Sequence, residues 1–363
     1  RLILQLVATG THLHPAFGHT IDAIKADGFA IDRTVDILDI PAPADDARAT
    51  SHATARAIAG FADALADLQP DVLVLLGDRF EILAAAQAAL YARIPVAHLH
   101  GGERSDGAID DSLRHAITKL SHLHFVAAPA YRQRVIQLGE DPKRVHCFGP
   151  LATDNFHRLR LLTPEALGRE LGLPIGSGPL FLVTYHPATL GRTSPARATA
   201  ALLAALAAQR TGVFLFTGSN VDPGHATIAP LLEAFVAEHP ERALLVPSLG
   251  QLRYLSALRS AAVVVGNSSS GIIEAPLCGT PTVNLGDRQR GRLRAPSVID
   301  AAETAPAIKR ALATALSPAF QRRLRRTPQA RLGKPVAPRI VDVLARVPLA
   351  RLTEKRFRDL SPR

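Results

Sequence analysis

The stretch Val263-Val264-Val265-Gly266-Asn267-Ser268-Ser269-Ser270-Gly271-Ile272-Ile273-Glu274-Ala275-Pro276 decides how this chain is read. A short β-branched run meets a loop of small residues, and a helical stretch follows. An α/β protein builds an anion site this way, because loop N–H groups and a helix N-terminus both point at a phosphate. Gly266 and Gly271 leave room for close backbone approach, and Ser268, Ser269 and Ser270 add hydroxyls. Gly279 and Pro281 then close a short helix in the usual order. A hydroxyl-rich turn that only caps a helix has the same look, so the neighbouring loops must decide.

Outward from this stretch, short apolar runs alternate with longer helical patterns, which predicts parallel sheets with crossover helices. Strands are expected at Leu2–Ala8, Val72–Leu76, Val96–His100, His124–Val126, Phe181–Thr184, Val213–Phe216, Leu244–Val246, Ala262–Val265 and Thr282–Leu285. Helical patterns fill Ala53–Leu68, Glu81–Tyr91, Ser112–Ser121, Ala196–Ala208 and Ile228–Glu238. Between Thr153 and Gly178, Pro164, Pro174, Gly176, Gly178 and Pro179 cluster, and a fresh alternation begins. The reading is an α/β chain of two doubly wound, Rossmann-like domains, residues 1–157 and 158–339. A helix in the segment 340–363 crosses back to the first domain. The length of 363 residues agrees with two domains.

Composition removes several function classes. Apolar content of 47% is ordinary for a globular chain, and no run approaches the roughly 18 apolar residues of a membrane span. No signal-peptide pattern opens the sequence. Cys147 and Cys278 lie far apart and form neither a metal spacing nor a disulfide framework, so a reducing cytoplasm is the expected home. The net charge of +10 is uneven: from Arg288 onward nineteen Lys/Arg face five Asp/Glu. Those arginines sit among Ala, Leu and Val with few aromatics for base stacking, so a solvated helix face is expected rather than a nucleic-acid or lipid surface. Met is absent and residue 1 is Arg, so the sequence is expected to lack its true N-terminus.

Ligands of doubly wound folds bind beyond the carboxyl ends of the strands, so the loops after strands carry the chemistry. Val72–Leu76 runs into Gly77-Asp78-Arg79-Phe80-Glu81, which places Asp78 at a strand-to-helix junction, where helix N-capping is its plain role. Val96–His100 runs into Gly101-Gly102-Glu103-Arg104; alternation puts His98 and His100 on one face and the glycines leave Glu103 at the sheet edge. A His-x-His pair invites zinc, but no third ligand follows at metal spacing. Ile109, Leu113, Ile117 and Leu120 form an apolar helical stripe, and Asp110 and Arg114, four apart, can pair. So many acidic groups and histidines at strand-to-helix ends favour an acid/base site over surface ion pairs.

In the second half, His186 follows one strand and Thr217-Gly218-Ser219-Asn220 another. A third strand ends in Gly286-Asp287-Arg288-Gln289-Arg290-Gly291-Arg292, whose alternate arginines suit a diphosphate through forked donors. Together with the serine loop this predicts phosphate binding in the second domain.

These strings carry a resemblance. The motifs Gly77 to Glu81, His98 to Glu103, Ile109 to Lys119, Gly218 to Asn220, Gly266 to Glu274 and Gly286 to Arg292 resemble those of the hydrolysing UDP-N-acetylglucosamine 2-epimerases of sialic and legionaminic acid biosynthesis. The likeness runs from about residue 4 to about residue 300. It implies a fold of the glycosyltransferase B type with the nucleotide in the cleft, and elimination of UDP to a glycal followed by addition of water. The products would be UDP and a sugar inverted at C2, such as N-acetylmannosamine. No cofactor and no metal would be needed. Partners would be a UDP-sugar and other copies of the chain, as a homodimer or homotetramer.

By position, Asp78 and Asp110 match catalytic carboxylates of the family, and His186, Ser268, Ser269 and Arg288 match UDP contacts. Arg114, Asn220, Ser270, Gly271, Glu274 and Arg292 complete the substrate-binding set expected from these loops. Where many members carry a glutamate two residues after the histidine equivalent to His98, this chain has His100, so either His100 or Glu103 takes that proton-transfer role. The family also begins with a strand ending in a Thr-Gly-Thr/Ser-Arg-Ala loop. Here the first run, ending Thr9-Gly10-Thr11-His12-Leu13, resembles the family's second strand instead. Losing a central strand would exceed a stability of ~5–15 kcal/mol, so a truncated record is expected rather than a variant fold. The competing readings are a retaining UDP-sugar glycosyltransferase, a non-catalytic UDP-sugar-binding protein and an RNA binder using the basic tail.

Overall fold

The computed structural model describes residues 2–15, 19–38, 47–106, 109–187, 193–218, 225–327 and 333–359. The chain divides into two compact units, residues 1–150 with 336–363 and residues 151–335. The expected α/β architecture with parallel sheets is the one observed.

Unit 1 begins with β1 (Val7–Thr9), α1 (Ile21–Ala26), β2 (Arg33–Val35), α2 (Ala47–Leu68), β3 (Leu73–Leu76), α3 (Phe80–Tyr91) and β4 (Val96–Leu99). It continues through α4 (Asp110–Leu120), β5 (Leu123–Val126), α5 (Pro129–Gln137) and β6 (Val145–Cys147). Strands β3-β4-β5-β6 form one parallel sheet in that order, with Leu73 opposite Val96 and Ala97 opposite Leu123. All four residues of β4 and of β5 are buried, as befits inner parallel strands covered on both faces.

The first two strands pair only with each other, Val7 opposite Arg33, and form a separate two-stranded parallel sheet. One apolar core nevertheless takes residues from both sheets, from Val35 and Ile37 through Phe61 and Leu75 to Ile117. The expected strand Leu2–Ala8 shrinks accordingly to Val7–Thr9. Upstream of it the Leu6 N–H is taken by the Asp32 carboxylate at 2.6 Å, and Leu2, Ile3 and Leu4 are exposed. On β3, Val74 and Leu76 are 47% and 54% exposed.

Unit 2 contains α6 (Ala152–Arg158), α7 (Pro164–Leu171), β7 (Leu180–Thr184), α8 (Pro195–Ala207), β8 (Val213–Thr217), α9 (His225–Glu238) and β9 (Ala243–Val246). After these come α10 (Gly250–Ser260), β10 (Val263–Gly266), α11 (Ser270–Ile273), α12 (Ala275–Cys278), β11 (Thr282–Leu285), β12 (Val298–Ala301), α13 (Ala305–Leu316) and α14 (Pro318–Arg326). The last helix, α15 (Ala337–Arg346), belongs to unit 1. The unit 2 sheet has the order β12-β11-β10-β7-β8-β9, all parallel. Every residue of β7, β8, β10 and β11 is buried. Phe181, Phe214 and Phe216 fill the core beneath them with Leu202 and Leu312. Local signals set the helix starts: Thr163 and Ser194 cap α7 and α8, each with Pro at the first helical position.

That strand order reverses direction between β7 and β10. It is the point at which doubly wound sheets hold their ligands, and it puts the loop after β7 beside the loop after β10.

Candidate active site

At the carboxyl end of unit 1's sheet a single arginine ties Asp78 to the loop 103–105 and to the start of α4. Arg114, on the first turns of α4, is 2% exposed. Its guanidinium donates to the Asp78 carboxylate, to the Ser105 hydroxyl at 2.9 Å, to the Glu103 carbonyl at 3.0 Å and to Asp111 at 3.3 Å. Asp78 is therefore held by Arg114 rather than used as a cap; the N-cap position of α3 is Arg79, without a side-chain bond. The expected Asp110–Arg114 pair does not form. Arg114 points into the protein, and its partner on the helix is Asp111, three residues away, whose carboxylate also accepts from the Ser105 N–H at 2.7 Å. Asp110 lies in the first turn of α4, partly exposed and without a hydrogen-bond partner among the described residues. Ile109, expected on the apolar stripe, is 73% exposed, whereas Ile117 is fully buried.

The two histidines of the strand part company. β4 ends at Leu99, and His100 takes the left-handed conformation, φ 65°, an arrangement that costs a non-glycine residue energy and clusters at functional sites. Its Nδ1 lies 2.8 Å from Oε1 of Glu103, so the two alternatives for proton transfer form one hydrogen-bonded pair. His98 is buried: its Nε2 lies 2.8 Å from the Gly77 carbonyl and its Nδ1 3.2 Å from the Thr118 hydroxyl. Burial pulls its pKa down to about 3, so the ring is neutral and structural. Among the described residues no group of three or more His, Cys, Asp or Glu side chains is placed to hold a metal ion.

In unit 2 the loop after β10 and the loop after β7 are stapled by Asn267. Its Oδ1 accepts from the His186 N–H at 2.7 Å, its Nδ2 donates to the His186 carbonyl at 2.8 Å, and its own N–H goes to Thr184. The Asn267 carbonyl accepts from Gln289 at 2.9 Å and Arg288 at 3.2 Å, which ties in the loop after β11. His186, the serine loop and Arg288 are thus brought together at the sheet's switch point. Sequence reasoning passed over Asn267; its position between Gly266 and the serines, inside a buried loop, was the available signal. Gly266 has φ 132°, and a Cβ there would collide with the Thr184 carbonyl, so only glycine fits.

The helix expected after the serine loop is broken. α11 and α12 are single turns separated at Glu274, and the N–H groups of Gly271, Ile272 and Ile273 bond back to Ser268 and Ser269. The serine loop therefore leads into two single turns and not into a long helix with a strong dipole. Ser270 and Gly271 are buried, Gly271 against Thr282 of β11 and Ser270 beside the Tyr254 hydroxyl. Glu274 instead lines a cavity of about 400 Å³ with Thr217, Pro247, Ser248, Gln251 and Tyr254. Burial pushes the Tyr254 hydroxyl up to about 12, so it stays protonated. Arg292 is half-buried on the loop after β11, and Asn220 lies outside the described residues.

The comparisons join this geometry to known proteins. A model of the UDP-N-acetylglucosamine 2-epimerase family matches residues 1–345. The chain belongs to that family. It is 40% identical over 299 residues to the Campylobacter jejuni GDP/UDP-N,N'-diacetylbacillosamine 2-epimerase (hydrolyzing), covering 82% of this chain and 77% of that protein. It is 37% identical to the Legionella pneumophila UDP-N,N'-diacetylbacillosamine 2-epimerase (hydrolyzing), covering 86% and 81%. The Neisseria meningitidis UDP-GlcNAc 2-epimerase bound to UDP-GlcNAc has the same fold, with a TM-score of 0.79 at 18% identity over 94% of this chain and 92% of that one. Among this epimerase family member's described helices, none is long and apolar enough to cross a membrane.

Proposed function

We propose that the protein is a hydrolysing 2-epimerase that converts a UDP-2-acetamido sugar to UDP and the free sugar inverted at C2. The observations that support this reading are Asp78 held by Arg114, His100 paired with Glu103, and Asp110 in the first turn of α4. The names of two relatives support a 2,4-diacetamido sugar, as in UDP-N,N'-diacetylbacillosamine, ahead of UDP-N-acetylglucosamine as the substrate.

The chemistry assigns work to both units. Unit 2 binds the nucleotide: Ser268, Ser269, His186, Arg288 and Arg292 take the diphosphate, and Glu274 accepts from ribose hydroxyls beside the cavity lined by Gln251 and Tyr254. As the C1–O bond breaks, its electron pair leaves with UDP, and these cationic and N–H donors stabilise the growing charge. C1 gains oxocarbenium character, which acidifies the C2 hydrogen. Asp110, in the first turn of α4, takes that proton as C1=C2 forms. Water then adds at C1, and a proton returns to the opposite face of C2 from His100, whose partner Glu103 fixes its orientation. Asp78, locked on Arg114, faces the cationic carbon.

Family membership also favours a homodimer or homotetramer, which light scattering would measure, and the nucleotide-sugar substrate favours the cytoplasm. The test of function is product NMR from a panel of UDP-sugars: a free C2-inverted 2,4-diacetamido sugar plus UDP supports the reading. Transfer of the sugar to an acceptor, or binding without UDP release, would refute it.

A further inference from the structure

The C-terminal segment returns to unit 1 and ends in a buried ion cluster opposite the acidic site. Lys355 is its centre. The Lys355 ammonium donates to the Lys119 carbonyl at 2.6 Å and the Ser121 carbonyl at 2.7 Å, and lies 2.9 Å from Oε1 of Glu140. Those carbonyls are the last ones of α4, where unpaired C=O groups and the negative end of the helix attract a cation. A fourth acceptor, the Thr118 carbonyl, lies at 3.4 Å, so acceptors outnumber the three N–H donors and none of those is spare.

The clamp is braced on every side. Glu140 is buried, and its other contacts are Lys119 at 2.7 Å and His124 at 3.0 Å. Phe357 packs its ring 4.9 Å from the Lys119 ammonium and covers Gly139, while the Arg358 N–H bonds the Gly139 carbonyl at 3.0 Å. Arg144 holds the Leu352 carbonyl at 2.9 Å. The segment is therefore fastened on both sides of Lys355.

What the clamp grips leads to the reacting groups by two routes. The first is α4 itself, which carries Asp110, Asp111 and Arg114 at its other end. The second runs through Thr118 of the same last turn, whose hydroxyl meets His98 Nδ1. The neutral His98 ring donates its one N–H to the Gly77 carbonyl, next to Asp78. We propose that Lys355 is a positioning residue for the epimerase reaction: by clamping the C-terminal end of α4 it sets where Asp110 stands and how Arg114 meets Asp78. This rests on the function proposed above.

The groups facing Lys355 are Glu140, Lys119, Arg144, His122 and His124, and of these only Glu140 is negative. Desolvation outweighs that carboxylate and lowers the Lys355 pKa to about 8. Above that pH the amine keeps two N–H groups for four acceptors and loses its charge, so the clamp loosens while the protein stays folded. Linkage sharpens the contrast: the buried charge disfavours folding below pH ~8, so this group's contribution to stability rises between the folded value and the ordinary lysine value, while activity falls.

The test compares Lys355→Met and Lys355→Arg in the full-length protein. Lys355→Met should lower kcat at least tenfold with KM within threefold, and Lys355→Arg should restore kcat and move the alkaline limb of log kcat from near pH 8 to above pH 9. Hydrogen exchange of amides 77–80 and 109–115 should quicken in Lys355→Met and not in Lys355→Arg, with unit 2 unchanged. Unaltered exchange in those segments, or an alkaline limb shared by wild type and Lys355→Arg, would overturn the proposal. If the wild type turns over no UDP-sugar, the proposed function fails, and the exchange comparison still decides the role of Lys355. If Lys355→Met does not fold, the pH profile of Lys355→Arg decides alone.

Discussion

Arg114 and Asp78 lie 36 residues apart in sequence and meet as a buried guanidinium on a partly exposed carboxylate, an ion pair that ties α4 to the loop after β3. Removing the arginine would leave Asp78 without its partner and the Glu103 carbonyl unbonded. Truncating one side of such a pair costs about 3–5 kcal/mol when the remaining charge stays buried, and less here because Asp78 reaches solvent. Arg114→Met should lower kcat/KM by more than a hundredfold and shift the urea midpoint downward. Arg114→Lys should not restore activity, because an ammonium cannot hold four acceptors in one plane. Full activity in Arg114→Lys would remove the fork from the account.

Asp110 has no hydrogen-bond partner among the described residues, so its loss should be felt in chemistry first. Asp110→Asn should reduce kcat about 10²–10⁴-fold, the usual range for a lost general base. Calorimetric titration with UDP should give the affinity of the wild type. A parallel loss of UDP binding would show that Asp110 supports structure or nucleotide rather than proton transfer.

His98 gives a pH prediction that concerns stability. Its folded pKa, about 3, lies below the ordinary value of 6.5, so the unfolded chain takes up a proton before the folded one does. The stability from the neutral, doubly bonded ring is complete above pH 6.5 and is lost as pH falls toward 3. His122, lowered to about 4 by burial, adds to the same acid limb. Urea unfolding between pH 4 and pH 7 should show a steep loss in the wild type and a shallower one in His98→Gln. Equal slopes would contradict the assignment.

Gly266 holds the serine loop against β7. Gly266→Ala places a methyl group on the Thr184 carbonyl at a φ that side chains rarely adopt, so it should weaken UDP binding at least tenfold and destabilise unit 2. Asn267→Ala should do the same more mildly by freeing the His186 loop. Wild-type UDP affinity in both variants would separate this loop from the nucleotide.

The sequence was most legible where one residue type has one use. Alternating apolar runs gave the parallel sheets, and strand-end loops gave His186, the serines and the acidic residues. Three features escaped it. Short strands β2, β6 and β12, three, three and four residues long, carry polar or charged residues and are set by neighbours, not by their own pattern. Arg114 chose Asp78 and Asp111 over Asp110 because burial turned it inward, a tertiary fact that i, i+4 spacing does not contain. The Asn267 staple and the Lys355 clamp join residues 81 and 236 positions apart, or nearly as far, and neither follows a short-range rule.

The most direct test of the whole account is turnover of the UDP-sugar in deuterated water, read by NMR and mass of the products. The account predicts free UDP and an inverted sugar carrying one deuterium at C2, with incorporation lost in Asp110→Asn. A product that keeps its C2 proton, or that leaves with its original C2 configuration, would contradict it.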